Sequence, residues 1–419
     1  MGIDWTKTFA QRAVQLTASE IRELLKLLNQ PDIISFAGGI PDPQLFPYER
    51  LAQAYQSILA DPARRGEAMQ YSISEGYPPL RDFIVKYLAR VGVSTHRDNV
   101  MITNGSQQGL EFLAKLFINP GDRIVVTRPA YLGALQAFSL YEPVVVPVPL
   151  DDAGIDLEGL EREFRLGAKF VYLTPDFGNP SGVTLPLDQR LKLIELSYQY
   201  GVPVIEDQAY DQLRYSGEAA PTFLALDGQR LNQQSPLSEA TSAGNVIYTG
   251  TFSKSIAPAL RIGWVVAPAP VLQKLVLMKQ ASDLHSATIN QMVMCEVADE
   301  ILEEHAAKLR QVYGARRDAM LDALDRHLPK AQGLHWTRPD GGMFVWITLP
   351  QGLDGADLLA KAIADERIAF VPGSAFYADR STRNTIRLSF SLPSPETIEE
   401  GIKRLGRLLE RELAKAKAA

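Results

Sequence analysis

The sequence predicts an α/β fold: a mainly parallel seven-stranded sheet sandwiched by helices, followed by a smaller α+β domain. Three observations carry this. Between residues 100 and 267, short β-branched runs alternate with amphipathic stretches, the rhythm of strands joined through helices. After about residue 270 long helical patterns take over, broken by two short strands. The 419 residues are 46% hydrophobic and 22% charged, enough apolar material for two cores.

The elements follow in order. Thr17-Ala18-Ser19-Glu20 has the spacing of a capping box, and Ile21, Leu24, Leu25 and Leu28 continue it as a helix that Asn29-Gln30-Pro31 stops. Ser35-Phe36-Ala37-Gly38-Gly39-Ile40-Pro41-Asp42-Pro43 is irregular but too apolar for a free linker, as expected of backbone lying close to something bound. Strands are expected at Val100–Thr103, Arg123–Thr127, Val144–Val148, Phe170–Thr174, Val202–Glu206, Val246–Thr249 and Gly263–Ala267. Gln108–Phe117 and Leu187–Tyr200 are helices between them. Later come helices at Val271–Met278 and Asn290–Leu328, strands at Met343–Thr348 and Thr385–Phe390, and a helical tail over Ser394–Ala418. In such sheets the ligand sits at the carboxyl ends of the strands.

Composition excludes several classes. With 43 Lys and Arg against 49 Asp and Glu, the net charge of −6 offers no attraction to nucleic acid or anionic lipid. A single cysteine, Cys295, suits a reducing compartment, and its neighbours Met292, Val293, Met294 and Val297 make it a core residue. No apolar stretch reaches the roughly 18 residues of a membrane span, and the N-terminus lacks a hydrophobic signal core, so a cytoplasmic protein is expected. There is no GxGxxG after a strand and no GK[ST]. His96, His285, His305, His327 and His335 show no ligand spacing, so no metal site is expected.

Four segments at strand ends hold candidate chemistry. In Thr249-Gly250-Thr251-Phe252-Ser253-Lys254, with Arg261 seven residues on, hydroxyls and a guanidinium suit a phosphate while the amine suits attack on an aldehyde. A solvent-facing loop lysine would look similar. Asp207 could pair with a protonated ring nitrogen and Tyr210 could donate to a ring oxygen; a helix N-cap followed by a core tyrosine is the plainer alternative. Asn179-Pro180-Ser181-Gly182 by itself is a turn. Asn104-Gly105-Ser106-Gln107-Gln108-Gly109 opens a helix whose N–H groups form an anion seat, or Ser106 simply caps it.

Taken in this order, these segments resemble the pyridoxal-phosphate-dependent aminotransferases of fold type I, class I/II. The resemblance runs from Ser35-Phe36-Ala37-Gly38-Gly39 through Tyr71-Ser72-Ile73-Ser74-Glu75-Gly76 to Arg387-Leu388-Ser389-Phe390-Ser391, and Ser253-Lys254 with Arg261-Ile262-Gly263-Trp264 is its most specific motif. Within the class the chain is most similar to the 2-aminoadipate/kynurenine branch, from which Gly178 before Asn179 departs. The resemblance implies transamination of an L-amino acid (2-aminoadipate, glutamate, aromatic or branched/aliphatic) with a 2-oxo acid such as 2-oxoglutarate, in two half-reactions on pyridoxal 5′-phosphate.

It also implies the roles. Lys254 holds the cofactor covalently and moves the substrate proton; Asp207 keeps the ring nitrogen protonated; Asn179 and Tyr210 bond the 3′ oxygen. Tyr131 stacks on the ring, and Ser106, Gln107, Thr251, Ser253 and Arg261 hold the phosphate. Tyr71 reaches the neighbouring subunit's phosphate in a homodimer. Arg387, with Asn179 and Gly39, receives the substrate carboxylate, and Arg22 on the first helix meets a distal carboxylate. The implied division is 1–34 as a helical segment covering the site, 35–285 as the cofactor-binding domain and 286–419 as the small domain. Elimination or decarboxylation would use the same Lys, Asp and Arg. A transcription regulator built on this fold would need a basic DNA-binding module ahead of residue 35, where the chain carries one short helix.

Overall fold

The computed structural model describes residues 2–14, 32–234 and 244–418. The helix expected after Thr17, and Arg22 on it, lie outside these residues.

Strands are numbered along the chain from β1 (Ile34–Ser35). The large sheet comprises β2 (Val100–Asn104), β3 (Arg123–Arg128), β4 (Val144–Asp151), β5 (Gly154–Ile155), β6 (Val171–Leu173), β7 (Val204–Gln208), β8 (Val246–Thr251) and β9 (Ile262–Val266). Their order is β2-β9-β8-β7-β6-β3-β4-β5. The seven expected strands are all present, joined by an eighth. That addition, β5, is a two-residue hairpin partner antiparallel to β4, too short to leave a periodic signal. Pairing from β8 through β7, β6 and β3 to β4 is parallel, whereas β9 runs antiparallel to both its neighbours.

Alternation along the strands builds two cores, one on each face. On β7, Val204 joins the cluster containing Leu193, Phe223 and Met292, while Ile205 joins the one containing Phe138, Phe170 and Tyr172. Glu206 faces the first side with no solvent exposure, and its carboxylate accepts the N–H groups of Phe223 and Leu224 at 2.9 and 3.0 Å. It thereby satisfies the open end of the helix Phe223–Gln234. Burial pushes this carboxyl up to about 7 against the lowering effect of those donors and of Arg190.

The smaller sheet is antiparallel, ordered β10 (His335–Trp336), β11 (Phe344–Thr348), β14 (Thr385–Ser389), β13 (Val371–Pro372). The helix Pro395–Ala418 covers it with Ile398, Ile402, Leu405 and Leu409, one apolar face at helical spacing. A 40-residue helix, Thr288–His327, serves one core of the large sheet and the core of the small one. Its first half buries Met292, Val293, Val297 and Leu302 against the large sheet, and its second buries Leu309, Tyr313, Met320 and Leu324 against the small one.

The irregular segment after residue 34 is tied to the small sheet. β1 pairs in parallel with β12 (Ile368–Ala369), Phe36 N–H donates to Ala369 O at 2.7 Å, and Ser389 N–H donates to Phe36 O at 2.8 Å. This carries Ala37, Gly38 and Gly39 past Arg387. Cys295 is partly buried, and burial, with Asp299 and Glu296 nearby, pushes its thiol up to about 11. Among the described residues no helix is long and apolar enough to cross a membrane, and no cluster of His, Cys, Asp or Glu could hold a metal ion.

Candidate active site

A cavity of about 630 Å³ opens at the carboxyl ends of the parallel strands. Its lining includes Gly39, Ser106, Gln107, Tyr131, Asn179, Asp207, Tyr210, Thr251, Ser253, Lys254, Arg261 and Arg387, which are scattered over some 350 positions of sequence. Of the expected site residues that the structure describes, one is not in the lining. Tyr71 lies outside the cavity, 79% exposed, with its ring edge-on to His285 at 6.0 Å. Arg22 is outside the described residues.

One end of the cavity gathers a helix start, hydroxyls and a guanidinium, groups that suit an anion. The helix Ser106–Phe117 starts from Gly105, whose φ of +72° and ψ of 164° place it at the N-cap, so Ser106 is the first helical residue and its hydroxyl caps nothing. A Cβ on Gly263 would lie 2.5 Å from Ser106 N, and one on Gly105 would lie 2.3 Å from Arg261 Nη2. The glycines therefore let the helix start, β9 and the guanidinium crowd together. Arg261 itself adopts φ +54°, donates to Pro258 O and Asn104 O at 3.3 and 3.2 Å, and remains exposed toward the cavity. Thr251 Oγ1 lies 2.8 Å from Ser253 Oγ and accepts Ser253 N–H at 3.1 Å. Gln107 donates to Gly133 O at 2.7 Å, beside the Tyr131 ring.

Beneath this helix start is a network the sequence did not suggest. Asp283 accepts from Asn104 Nδ2 and Gln108 Nε2 at 2.5 and 2.7 Å, and from the buried Lys279 amine at 3.1 Å, which also donates to Gln108 Oε1 at 2.9 Å. Lys279 and Asp283 are an i, i+4 pair on the helix Ala269–Ser282 and its C-cap, indistinguishable in sequence from a surface ion pair.

The middle of the cavity carries a buried carboxylate and an amine. Asp207 is 3% exposed and stands within β7, with no helix beginning at it, so it is not an N-cap. Tyr172 OH donates to its Oδ2 at 2.8 Å and Thr249 Oγ1 to its Oδ1 at 2.9 Å. Burial raises the carboxyl above its usual range and these two donors lower it. Tyr210 is buried nearby, its phenol raised mainly by desolvation. The Lys254 amine donates to Gly39 O at 3.3 Å and lies 5.9 Å from the Tyr210 ring centroid. Desolvation first, then the guanidinium groups of Arg387 and Arg261, push it down to about 8, so a sizeable neutral fraction exists near pH 7 to 8.

The far end is built on the small sheet. Arg387, 2% exposed on β14, lies between the rings of Phe344 and Phe376 at 4.4 and 5.2 Å. It donates to Asn179 Oδ1 at 2.8 Å and to the carbonyls of Ala37 and Gly38 at 3.0 and 3.3 Å. Its Nε is buried without a partner among the described residues. Burial pushes this guanidinium down to about 10. Gly178, ahead of Asn179, is required by space: a Cβ there would sit 2.0 Å from Thr174 Oγ1.

A sequence model described as aminotransferase class I and II matches residues 31–405. The chain belongs to this family. This aminotransferase is 42% identical over 421 residues to the aromatic-amino-acid aminotransferase 1 of Thermococcus litoralis, covering 99% of this chain and 96% of that one. Among solved structures it is similar to a Pyrococcus horikoshii kynurenine aminotransferase in complex with PMP (TM-score 0.89, 42% identity, 98% of each chain). It is also similar to the alpha-aminoadipate aminotransferase of Thermus thermophilus complexed with N-(5′-phosphopyridoxyl)-L-leucine (TM-score 0.86, 40% identity, 98% of this chain and 100% of that one). The aminotransferase is accordingly a pyridoxal 5′-phosphate enzyme of fold type I, on the aminoadipate/kynurenine side of the class. The cavity suits that cofactor: a crowded helix start with Arg261 fits a phosphate, a buried carboxylate held by neutral hydroxyls fits a protonated ring nitrogen, and a desolvated amine fits an aldehyde.

Proposed function

We propose that this aminotransferase passes the amino group of an L-amino acid to a 2-oxo acid such as 2-oxoglutarate in two separate half-reactions, binding donor and acceptor in turn at one site. The observation that carries the reading is the convergence of the Lys254 amine, the Asp207 carboxylate and the Arg387 guanidinium on one cavity. Pyridoxal 5′-phosphate, when bound, supplies an electron sink for the carbanion at the substrate's Cα and a carbon that carries nitrogen between the half-reactions.

The chain supplies the rest. Ser106, Gln107, Thr251, Ser253 and Arg261 hold the phosphate at the helix start. Asp207 faces the ring nitrogen, Asn179 and Tyr210 the 3′ oxygen, and Tyr131 the ring face. Lys254 anchors the cofactor and, once freed by the incoming amine, takes the proton from the substrate's Cα and returns it one carbon away. Arg387 offers a planar fork to the α-carboxylate, with Asn179 and the Gly39 backbone beside it.

Donors range over 2-aminoadipate, glutamate, aromatic and branched or aliphatic amino acids. The apolar wall of Ile40, Leu132 and Phe376 supports the aromatic and aliphatic members, and the names of the relatives support both aromatic and aminoadipate donors. Arg22 is assigned to a distal carboxylate. We take the working form as a cytoplasmic homodimer in which Tyr71, exposed in the single chain, reaches the neighbour's phosphate. We also divide the chain into a covering segment 1–34, a cofactor domain 35–285 and a small domain 286–419, with the helix from Thr288 packing into both cores.

The test is a panel of amino acids with 2-oxoglutarate, following both products. One keto acid formed per glutamate, with parallel double-reciprocal lines, is expected. Release of ammonia or carbon dioxide instead would replace this reading with elimination or decarboxylation.

A further inference from the structure

The large sheet supplies Asp207 with two buried partners behind the cavity wall. In the register of β6, β7 and β8, Tyr172 pairs with Ile205, and Asp207 pairs with Thr249. Residues 205 and 207 point to the same face of β7, so Tyr172 stands diagonally across from Asp207 and Thr249 directly opposite it. A phenol is long enough to bridge the diagonal, and Tyr172 does so at 2.8 Å; the short Thr249 hydroxyl spans the direct pair at 2.9 Å. Each carboxylate oxygen thus receives one hydroxyl, from the strand on either side.

The two donors are themselves fixed. Tyr172 is 1% exposed, and Phe138 meets its ring edge-on at 5.3 Å. Thr249 is wholly buried. Burial beside a carboxylate keeps the phenol protonated, so it donates and does not compete for charge. A carboxylate buried this deeply has two ways of failing: it takes up a proton, or it swings to another rotamer. Two neutral donors oppose both, and being neutral they leave its negative charge uncancelled for a cationic partner.

We propose that Tyr172 and Thr249 are positioning residues that hold Asp207 ionised and aimed, and so set how tightly the chain grips the protonated cofactor ring. The proposal rests on the reading that Asp207 faces the ring nitrogen. It assigns a role to two residues that touch neither phosphate nor substrate in that reading.

The experiment measures the affinity of the cofactor-free protein for pyridoxal 5′-phosphate, together with kcat and KM of the reconstituted enzyme. Tyr172→Phe and Thr249→Val should each weaken cofactor binding about tenfold, the scale of a lost hydrogen bond to a charged group. They should lower kcat with little change in KM for the amino acid. Thr249→Ser, which keeps the hydroxyl, should bind as the parent does. In an Asp207→Asn background, Tyr172→Phe and Thr249→Val should each add less than about twofold, because their effect runs through the carboxylate.

The outcomes separate. Equal losses in both backgrounds, or unaltered affinity in the single variants, would overturn the proposal. If Asp207→Asn itself binds the cofactor as tightly as the parent, the assignment of Asp207 fails instead. Should Tyr172→Phe unfold, judged by the melting of the cofactor-free protein, the Thr249→Val and Thr249→Ser pair decides the matter.

Discussion

Arg387 on β14 donates from Nη1 to the side-chain oxygen of Asn179, 2.8 Å away in the loop that follows β6. One hydrogen bond therefore joins the wall of the cavity carried by the small sheet to the wall carried by the large one. Replacing Arg387 with Lys keeps the charge and loses the fork. We expect Arg387→Lys to lower kcat/KM for L-amino acids by about 10- to 100-fold, mainly through KM, as for a lost charge-assisted pair. An unchanged KM would move the carboxylate site elsewhere.

The covalent anchor is checked chemically. Borohydride reduction of the holoenzyme followed by peptide mapping should place a pyridoxyl group on Lys254. Label on Lys279, the buried lysine of the supporting network, would show that the anchor had been misassigned.

Acidity and stability are linked at the same amine. In the folded, cofactor-free chain Lys254 is pushed down to about 8 from an ordinary value of 10.5. Between these values the unfolded chain still holds a proton that the folded chain has released, so stability gained from this group rises with pH across that window. Below about pH 8 both states are charged and the full penalty of burying the cation applies. Cofactor-free Lys254→Met should thus be more stable than the parent at pH 7, with the gap closing as pH rises toward 10. Urea titrations of both proteins at the two pH values check this; a constant gap would contradict it.

Backbone space limits the loop before Asn179. Gly178→Ala places a methyl 2.0 Å from Thr174 Oγ1 and should destabilise the protein by about 1–3 kcal/mol, the range for overpacking. Thr174→Ala combined with Gly178→Ala should recover part of the loss. If the double variant melts no higher than Gly178→Ala, the clash lies with backbone and not with that hydroxyl.

The dimer is tested by sedimentation. A species of two chains is expected, and hybrids of Tyr71→Phe with Lys254→Ala should carry one doubly damaged and one intact site. A fully active single chain would refute the shared site.

Much of this architecture was legible. Short β-branched runs marked seven strands to within a few residues, and Leu187–Tyr200 is helical over those same bounds. The motif residues were readable because each sits where a strand ends and a turn begins, where polar side chains and glycines stand out against apolar runs. Asp207 was placed one residue past its strand, whereas β7 runs on to Gln208; a buried carboxylate does not look like strand interior until its two donors are seen. Tyr172 left no signal, since an aromatic inside a β-branched run is the ordinary content of a core strand. Its function comes from register, which brings together residues 35 apart in sequence. Asp283 was hidden in the same way: its partners Asn104 and Gln108 are more than 170 positions earlier.

The pairing of β1 with β12 has a consequence for how the molecule is made. Ile34 lies beside Ile368, so β1 waits for a partner more than 300 residues later in the chain. Emerging from a ribosome at about 5–20 residues per second, the segment leading to Gly39 would stay unmoored for roughly 20 seconds to a minute or more. Contacts of such long range come late in assembly, after local helices and hairpins have formed. The floor of the cavity near Lys254 and Arg387 is thus among the last parts to close, and a ligand can be enclosed only once β12 and β14 have been made.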